Sequence, residues 1–325
     1  MKMMKSVYSM AAVCLMAGCA AGAFTACDEL NDELFEKNSY IIHSGWQDYE
    51  LDVDSNNKAI LPVYFGINGT SANEKDVTVT MEVDPDTLEG YNQYKYKNEK
   101  DLYYKLLPAG TYTIDGNAWT IPAGELNTEA KITIDLDAIS QVGSLYNDYV
   151  LPLRIASSTG EPIGPGKYSK VLAHIAFKND YSGSYSGKGI VKQIGTTYTT
   201  EITGMNIYAI NNSLAYMFVG EKNRENTEDY LNYVVEIKKE ADGRLTLSSP
   251  VAGLQLKSYN AKLTRKYTMN YTDLRYYTEV TTVEFSYEYL DSTTKPDPLM
   301  MSFEGSFSKT KDVLRVEYPD VKVEE

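Results

Sequence analysis

Beyond Cys27 the chain contains no cysteine; all three, Cys14, Cys19 and Cys27, crowd into its first stretch. A disulfide framework, a thiolate metal site and a cysteine nucleophile are thereby excluded from everything downstream. Histidine is almost as scarce, with only His43 and His174, and no His-Glu-x-x-His motif can form. No Gly-x-Ser-x-Gly elbow occurs either. The nearest P-loop mimic ends in Gly166-Lys167, but Glu161 stands at the first glycine position and Tyr168 replaces the magnesium-binding hydroxyl residue. Asp52-Val53-Asp54-Ser55-Asn56 imitates the start of a calcium loop, yet Asn57 stands at the glycine position and Val63 at the bidentate glutamate. A hairpin turn accounts for it better. No catalytic residue, metal ligand or cofactor site is legible, and the expectation is a protein that is not an enzyme.

Basic residues are also in deficit, 31 against 45 acidic, for a net charge of −14. Nucleic-acid phosphates require a basic face, so that partner class is excluded. Electrostatic docking on anionic lipid is disfavoured for the same reason. A long apolar run is missing as well. The stretch from Val7 to Phe24 is too short and too rich in small residues for a spanning helix, and Lys2 and Lys5 precede it. It fits a secretory leader, residues 1–26.

Small residues before a cysteine suggest lipoprotein processing. Met16-Ala17-Gly18-Cys19 leaves a short apolar core, whereas Phe24-Thr25-Ala26-Cys27 leaves a full one; ordinary cleavage near Ala23 is the remaining alternative. The reading favours Cys27 as the lipidated residue. The acidic run Asp28-Glu29-Leu30-Asn31-Asp32-Glu33 that follows resembles the surface-export signal of Bacteroidota lipoproteins. Each buried methylene contributes about 0.8 kcal/mol, so several acyl chains anchor a protein without a spanning helix. Residues 27–38 then form an acidic tether, and the expected location is the outer membrane, facing the cell exterior, with the membrane contacted through the lipid alone.

What remains is rich in period-two alternation. Leu61, Val63, Phe65 and Ile67 share one strand face, as do Val77, Val79, Met81 and Val83, and Tyr149, Leu151, Leu153 and Ile155. Turn signals such as Asn68-Gly69 and Asp84-Pro85-Asp86 separate them. Short strands at this spacing predict an all-β fold, with an immunoglobulin-like β-sandwich over residues 39–178. The alternation Ile134-Asp135-Leu136-Asp137 reads as one more strand. A composition shift at Asn179-Asp180 marks a boundary, and strands continue over residues 180–325. Those fit an antiparallel, lipocalin-like β-barrel or a second sandwich.

Aromatics are lopsided, with 28 Tyr against eight Phe and two Trp. Tyrosine suits half-buried strands, so most are sheet residues. Trp119 alternates with Ile121 and reads as core. His174, mid-strand, reads as outward-facing or inter-domain. Leu88 to Leu107 breaks the strand rhythm as a short helix or a long excursion; besides Tyr103 and Tyr104 it carries Tyr91, Tyr94 and Tyr96. These three, Trp46, and the hairpin residues Tyr271, Tyr276 and Tyr277 are the candidate carbohydrate-stacking residues. The hairpin is expected to rim the mouth of a barrel.

Several segments carry a family resemblance: Leu61-Pro62-Val63, Asp76-Val77-Thr78-Val79, Leu107-Pro108-Ala109-Gly110-Thr111-Tyr112, Ile121-Pro122-Ala123-Gly124 and Tyr149-Val150-Leu151-Pro152-Leu153-Arg154-Ile155. With them the first half resembles the family catalogued as domain of unknown function 1735. The second half, from Tyr181, is similar to domain of unknown function 4361. The resemblance implies a surface glycan-binding accessory of a polysaccharide-uptake system. Its partners would be a glycan ligand and outer-membrane glycan-uptake proteins. An adhesin or structural protein-binding component of the outer membrane is the alternative. The lipoprotein reading is checked by mass spectrometry of the native product, which is expected to find an acylated amino terminus at Cys27; an unmodified terminus, or an intact leader in the cytosol, would refute it.

Overall fold

The computed structural model describes residues 36–324 except 70, 72 and 295. The leader, Cys27 and most of the acidic tether lie outside the described residues. The first half holds ten strands: β1 (Ser39–Ile42), β2 (Gly45–Asp52), β3 (Lys58–Ile67), β4 (Val77–Val83), β5 (Lys105–Leu106), β6 (Tyr112–Ile114), β7 (Trp119–Ile121), β8 (Asn127–Asp135), β9 (Tyr149–Thr159) and β10 (Lys170–Lys178). Helix α1 (Pro85–Tyr96) interrupts them after β4, and α2 (Leu136–Val142) after β8. A four-stranded sheet, β1-β3-β8-β6, packs on a six-stranded one built on β2-β10-β9-β4-β7, with β5 beside β9.

Alternation explains the packing. On β3, Leu61, Val63 and Phe65 are buried while Ile60 and Tyr64 are exposed. These apolar faces meet Val77, Val79, Trp119, Ile132, Ile134, Leu151 and Leu153 in one core. Each fully buried aliphatic side chain contributes about 1.5–3 kcal/mol. Trp119 joins this core as its alternation with Ile121 predicts, and its indole N–H donates to Asp115 at 3.3 Å.

Two local readings change. Ile134 and Asp135 end β8, but Leu136 begins α2 instead of continuing the strand. The Asp135 carboxylate accepts from the Ala138 backbone N–H at 3.0 Å and so caps that helix. The Asp52-to-Asn56 segment is a turn, with Asp54 accepting from the backbone of Asn56 and Lys58, both at 2.8 Å. It is not the expected hairpin turn, because β2 and β3 belong to different layers and the segment carries the chain from one sheet to the other. That crossover lets β2 run parallel to β10, a pairing that hairpin-by-hairpin reading does not anticipate.

The second half is a nine-stranded sheet, β15-β14-β13-β12-β11-β18-β17-β16-β19. Its strands are β11 (Gly183–Gln193), β12 (Thr199–Ala209), β13 (Leu214–Phe218), β14 (Val234–Lys239), β15 (Leu245–Ser248), β16 (Lys257–Met269), β17 (Tyr276–Asp291), β18 (Leu299–Leu314) and β19 (Val323–Glu324). β15 curls back towards β16, making the sheet a nearly closed barrel. β17 keeps strict alternation along its length. Val283, Phe285, Tyr287 and Tyr289 fill the interior, with Tyr181, Phe303 and Phe307. The inward positions nearer its first end are polar, Glu279 and Thr281, both buried.

The chain crosses between the halves in only Asn179, Asp180, Tyr181 and Ser182. The Asn179 carboxamide accepts from the backbone N–H of Tyr181 at 3.1 Å and Ser182 at 2.8 Å, and donates to Asn211 at 2.8 Å. Tyr181 is fully buried; its hydroxyl donates to the carbonyls of Ser213 and Ile237 at 2.9 and 3.1 Å. Asp180 meets Lys239 at 2.5 Å and Arg265 at 3.0 Å. Burial raises its carboxyl pKa, but these cations outweigh that and hold it below the ordinary aspartate value.

Inside the barrel, Gly189 faces Gly305 across the β11–β18 ladder. A Cβ at Gly189 would meet the Phe307 ring at 2.8 Å and the Phe303 ring at 2.9 Å. The absence of side chains there is what admits both rings. Gly189→Ala is expected to destabilise the barrel by about 1–3 kcal/mol through overpacking. Denaturant unfolding checks this; an unchanged midpoint would contradict it.

Candidate functional site

Two strands lay the floor of the site. In the parallel β2–β10 ladder, Leu172 lies opposite Trp46 and His174 opposite Asp48. Period-two geometry puts Trp46 and Asp48 on one face of β2. The Asp48 carboxylate accepts from the Trp46 indole N–H at 3.1 Å and stands 2.7 Å from His174 Nδ1. One carboxylate therefore orients both rings.

Helix α1 covers this floor. Pro85 supplies a fixed φ at its start. Leu88 is buried with Val150 and Leu172, and Trp46, Tyr91 and Tyr104 pack against them. Tyr91 stacks on Trp46, centroids 4.6 Å apart and planes 14° off parallel. Asn92 does the positioning on the next turn. Its amide donates to the Tyr104 carbonyl and its oxygen accepts from the Tyr104 N–H, each at 3.0 Å. The pair imitates a rung of β-ladder and pins the segment after the helix, each bond contributing about 1 kcal/mol net. Tyr104 is thereby set against Trp46 at 4.7 Å, His174 at 5.2 Å and Tyr96 at 5.7 Å.

The barrel supplies the opposite wall. On the outer face of β12 and β13, Tyr208 stacks on Tyr216 at 5.0 Å. Tyr146, from the loop after α2, meets Tyr216 edge-on at 5.2 Å and donates to Glu236 at 2.5 Å. Phe218 contacts Tyr230 at 5.6 Å. Arg224 reaches across: its guanidinium lies 4.5 Å over the Tyr104 ring and donates to the Asp148 carboxylate and the Leu102 carbonyl. The walls enclose a cleft of about 350 Å³ between the two halves. Burial raises the phenol pKa values of Tyr96, Tyr146, Tyr208, Tyr216 and Tyr230. All five are neutral hydroxyls at physiological pH. An aromatic lining with neutral hydroxyls, Asn223 and Arg224 presents flat apolar faces beside hydrogen-bonding groups. That combination suits a ring that is apolar on one face and hydroxylated at its edge. Among the described residues, no group of three metal-ligating side chains occurs and no helix is long and apolar enough to cross a membrane.

Of the residues singled out in the sequence, Tyr96 lines the cleft, while Trp46 and Tyr91 pack behind it against Tyr104. Tyr94 points away, 86% exposed. Tyr271 stands 84% exposed on the β16–β17 connection. Tyr276 and Tyr277 follow at the start of β17, beside Arg275 and Arg315 respectively. These three are not brought to the aromatic cleft. Tyr104, Tyr146, Tyr208, Tyr216, Phe218, Tyr230, His174 and Arg224 complete the site without having been singled out for it by the sequence. The cluster of tyrosines from Tyr91 to Tyr104 was the one available signal.

The fold and cleft define a two-domain, all-β protein whose sandwich and barrel share a groove. Residues 35–162 match a family model described as an N-terminal domain, and residues 169–308 match one described as C-terminal. The chain carries both of these domains. Among solved structures it resembles a protein of unknown function from Bacteroides ovatus at 21% identity, covering 85% of this chain and 96% of that one with a TM-score of 0.73. A multidomain protein including domain of unknown function 1735, also from Bacteroides ovatus, is 21% identical with a TM-score of 0.71 over 86% and 94% of the chains. An auxiliary nutrient binding protein from Bacteroides thetaiotaomicron is 18% identical with a TM-score of 0.71 over 85% and 94%. At these identities the likeness establishes the shared fold. No curated protein matches.

Arg224 bridges the domains, so Arg224→Ala is expected to strip Asp148 of its cation and weaken the interface by about 1–3 kcal/mol. Calorimetry should then separate sandwich and barrel unfolding further in temperature; an unchanged profile would contradict the bridging role.

Proposed function

We propose that this protein is a non-catalytic, glycan-binding accessory of a polysaccharide-uptake system, displayed on the outer membrane through lipid at Cys27. One observation carries the reading. The cleft between the domains is walled by Tyr96, Tyr104, Tyr146, Tyr208, Phe218 and Tyr230, with Asn223, Arg224 and Glu225 at their edges. Sugar rings present apolar C–H faces to such aromatics, while their hydroxyls meet polar groups at the rim. A volume of about 350 Å³ lies within the range of small-molecule sites. The shared fold of the Bacteroides thetaiotaomicron nutrient binding protein supports a binding role. The acidic run following Cys27 supports surface export.

Affinity electrophoresis of the mature protein in polysaccharide gels, with a glycan array beside it, tests the reading. Retardation by at least one glycan is expected. Tyr208→Ala combined with Tyr230→Ala should weaken it about tenfold or more, equivalent to about 1.4 kcal/mol. The absence of retardation on every polysaccharide and array glycan would defeat the proposal.

A further inference from the structure

The aromatic cleft is one end of a longer groove. A second and larger cleft, of about 850 Å³, opens between the mouth of the barrel and the β2–β10 edge of the sandwich. The two share Asn206 and Tyr208 as lining residues, so they meet along β12. Their chemistry differs. Where the first is aromatic, the second is lined by charge.

Its charged wall is built by strand register. Arg265 on β16, Thr281 on β17 and Lys309 on β18 form one cross-strand row, and Tyr267, Glu279 and Lys311 form the row two residues along. Buried Thr281 and Glu279 mark this as the inner face of the sheet. Most of the charges answer one another. Arg265 lies 3.0 Å from Asp180 and 3.6 Å from Glu279. Glu279 also accepts from Thr281 at 2.9 Å and Tyr267 at 3.2 Å. Across the cleft Lys178 pairs with Asp52 at 3.3 Å, and Glu50 stands beside them.

Lys309 and Lys311 are different. Among the described residues, neither makes an ion pair with a carboxylate. Lys309 donates to the Ser182 carbonyl and lies 5.1 Å over the Tyr185 ring. Burial, followed by the nearby Arg265 charge, pushes its ammonium pKa below the usual lysine value, against the opposing pull of Glu279 and Asp180. Those two carboxylates are shared: Asp180 already meets Lys239 and Arg265, and Glu279 meets Arg265 and faces Lys311 across the ladder. Four cations, Lys239, Arg265, Lys309 and Lys311, thus stand around two acids, although the whole chain carries a net charge of −14. A half-buried ammonium short of counter-charge is costly. An incoming anion would supply the missing charge through charge-assisted hydrogen bonds.

The geometry points to Lys309 and Lys311 as the anion-recognising end of the groove, where the carboxylate or sulfate of an acidic saccharide is bound while its sugar rings run over Tyr208 into the aromatic end. This rests on the glycan-binding reading and names its substrate class: anionic over neutral polysaccharide. The cleft volume of about 850 Å³ falls within the range that a ligand of several rings requires.

The test compares polygalacturonate, its methyl ester and a sulfated galactan on the mature protein, by titration calorimetry at low and high salt. The ester keeps the rings and removes the charge. Binding of polygalacturonate or the sulfated galactan at least about tenfold tighter than the ester is expected, weakening with salt; the two acidic arms identify which anion is bound. Lys311→Glu, at an exposed position, should erase that preference without unfolding the barrel, as circular dichroism would verify, and Lys309→Met should reduce it. Equal binding of acid and ester, or an acid preference untouched by Lys311→Glu, would overturn the inference and leave the glycan reading standing. Retardation by neutral glycans alone would do the same. If no glycan of any charge is retained, both fall together.

Discussion

The side chain of Asn179 is the constraint from which the functional geometry follows. A short connection between two domains ordinarily behaves as a hinge. Here the Asn179 carboxamide accepts from two backbone N–H groups of its own connection and donates to a carbonyl of the β12–β13 turn. Tyr181, two residues on, is locked inside the barrel by two hydrogen bonds and complete burial. A ring of this size removes roughly 150–250 Å² from water. The connection is therefore part of the barrel core, and the sandwich is held against the barrel by structure instead of being tethered to it.

Everything at the groove depends on that rigidity. Trp46, Tyr91 and Tyr104 belong to the sandwich, whereas Tyr208, Tyr216 and Tyr230 belong to the barrel. The cleft is lined by Tyr96 and Tyr104 from the one and by Tyr208, Tyr216 and Tyr230 from the other, with Trp46 and Tyr91 backing Tyr104. Leu145 and Tyr146 pack against Ile210, Tyr216 and Val234 and close one side of the interface. Arg224 closes another over Tyr104. The faces of β12 and β13 explain how this is affordable for the barrel: Ala215 and Met217 point inward to its core, while the alternate Tyr216 and Phe218 point outward to the sandwich. One strand serves two cores.

Much of this was legible along the chain and part of it was not, for reasons that lie in particular residues. Alternation at Leu61, Val63 and Phe65, or along β17, survives folding because both partners of a sheet impose the same period. Asp135 broke that rule because its side chain found the Ala138 N–H, turning an apparent strand into a helix start. Trp46 and Tyr91 were recognisable as unusual aromatics, but Tyr94 could be set apart from them only once Pro85 had fixed the phase of α1. Tyr216 was least legible of all. Its alternation says that it faces away from Met217, yet nothing local says that a loop from a different domain will cover it.

The support beneath the aromatic rings bears on what binding would cost. Ordering a mobile, rotamer-rich side chain at an interface costs about 0.5–1.5 kcal/mol. Trp46 is already oriented by Asp48 and stacked on Tyr91, and Tyr104 is already held through its backbone by Asn92. Tyr104, which lines the cleft, has surrendered its freedom during folding against Trp46, so a ligand meeting it need not impose order again. Tyr271, exposed on its hairpin, has no such support and would require ordering at the moment of contact. Between two sets of tyrosines with the same chemistry, preorganisation favours the groove between the domains over the tip of the barrel.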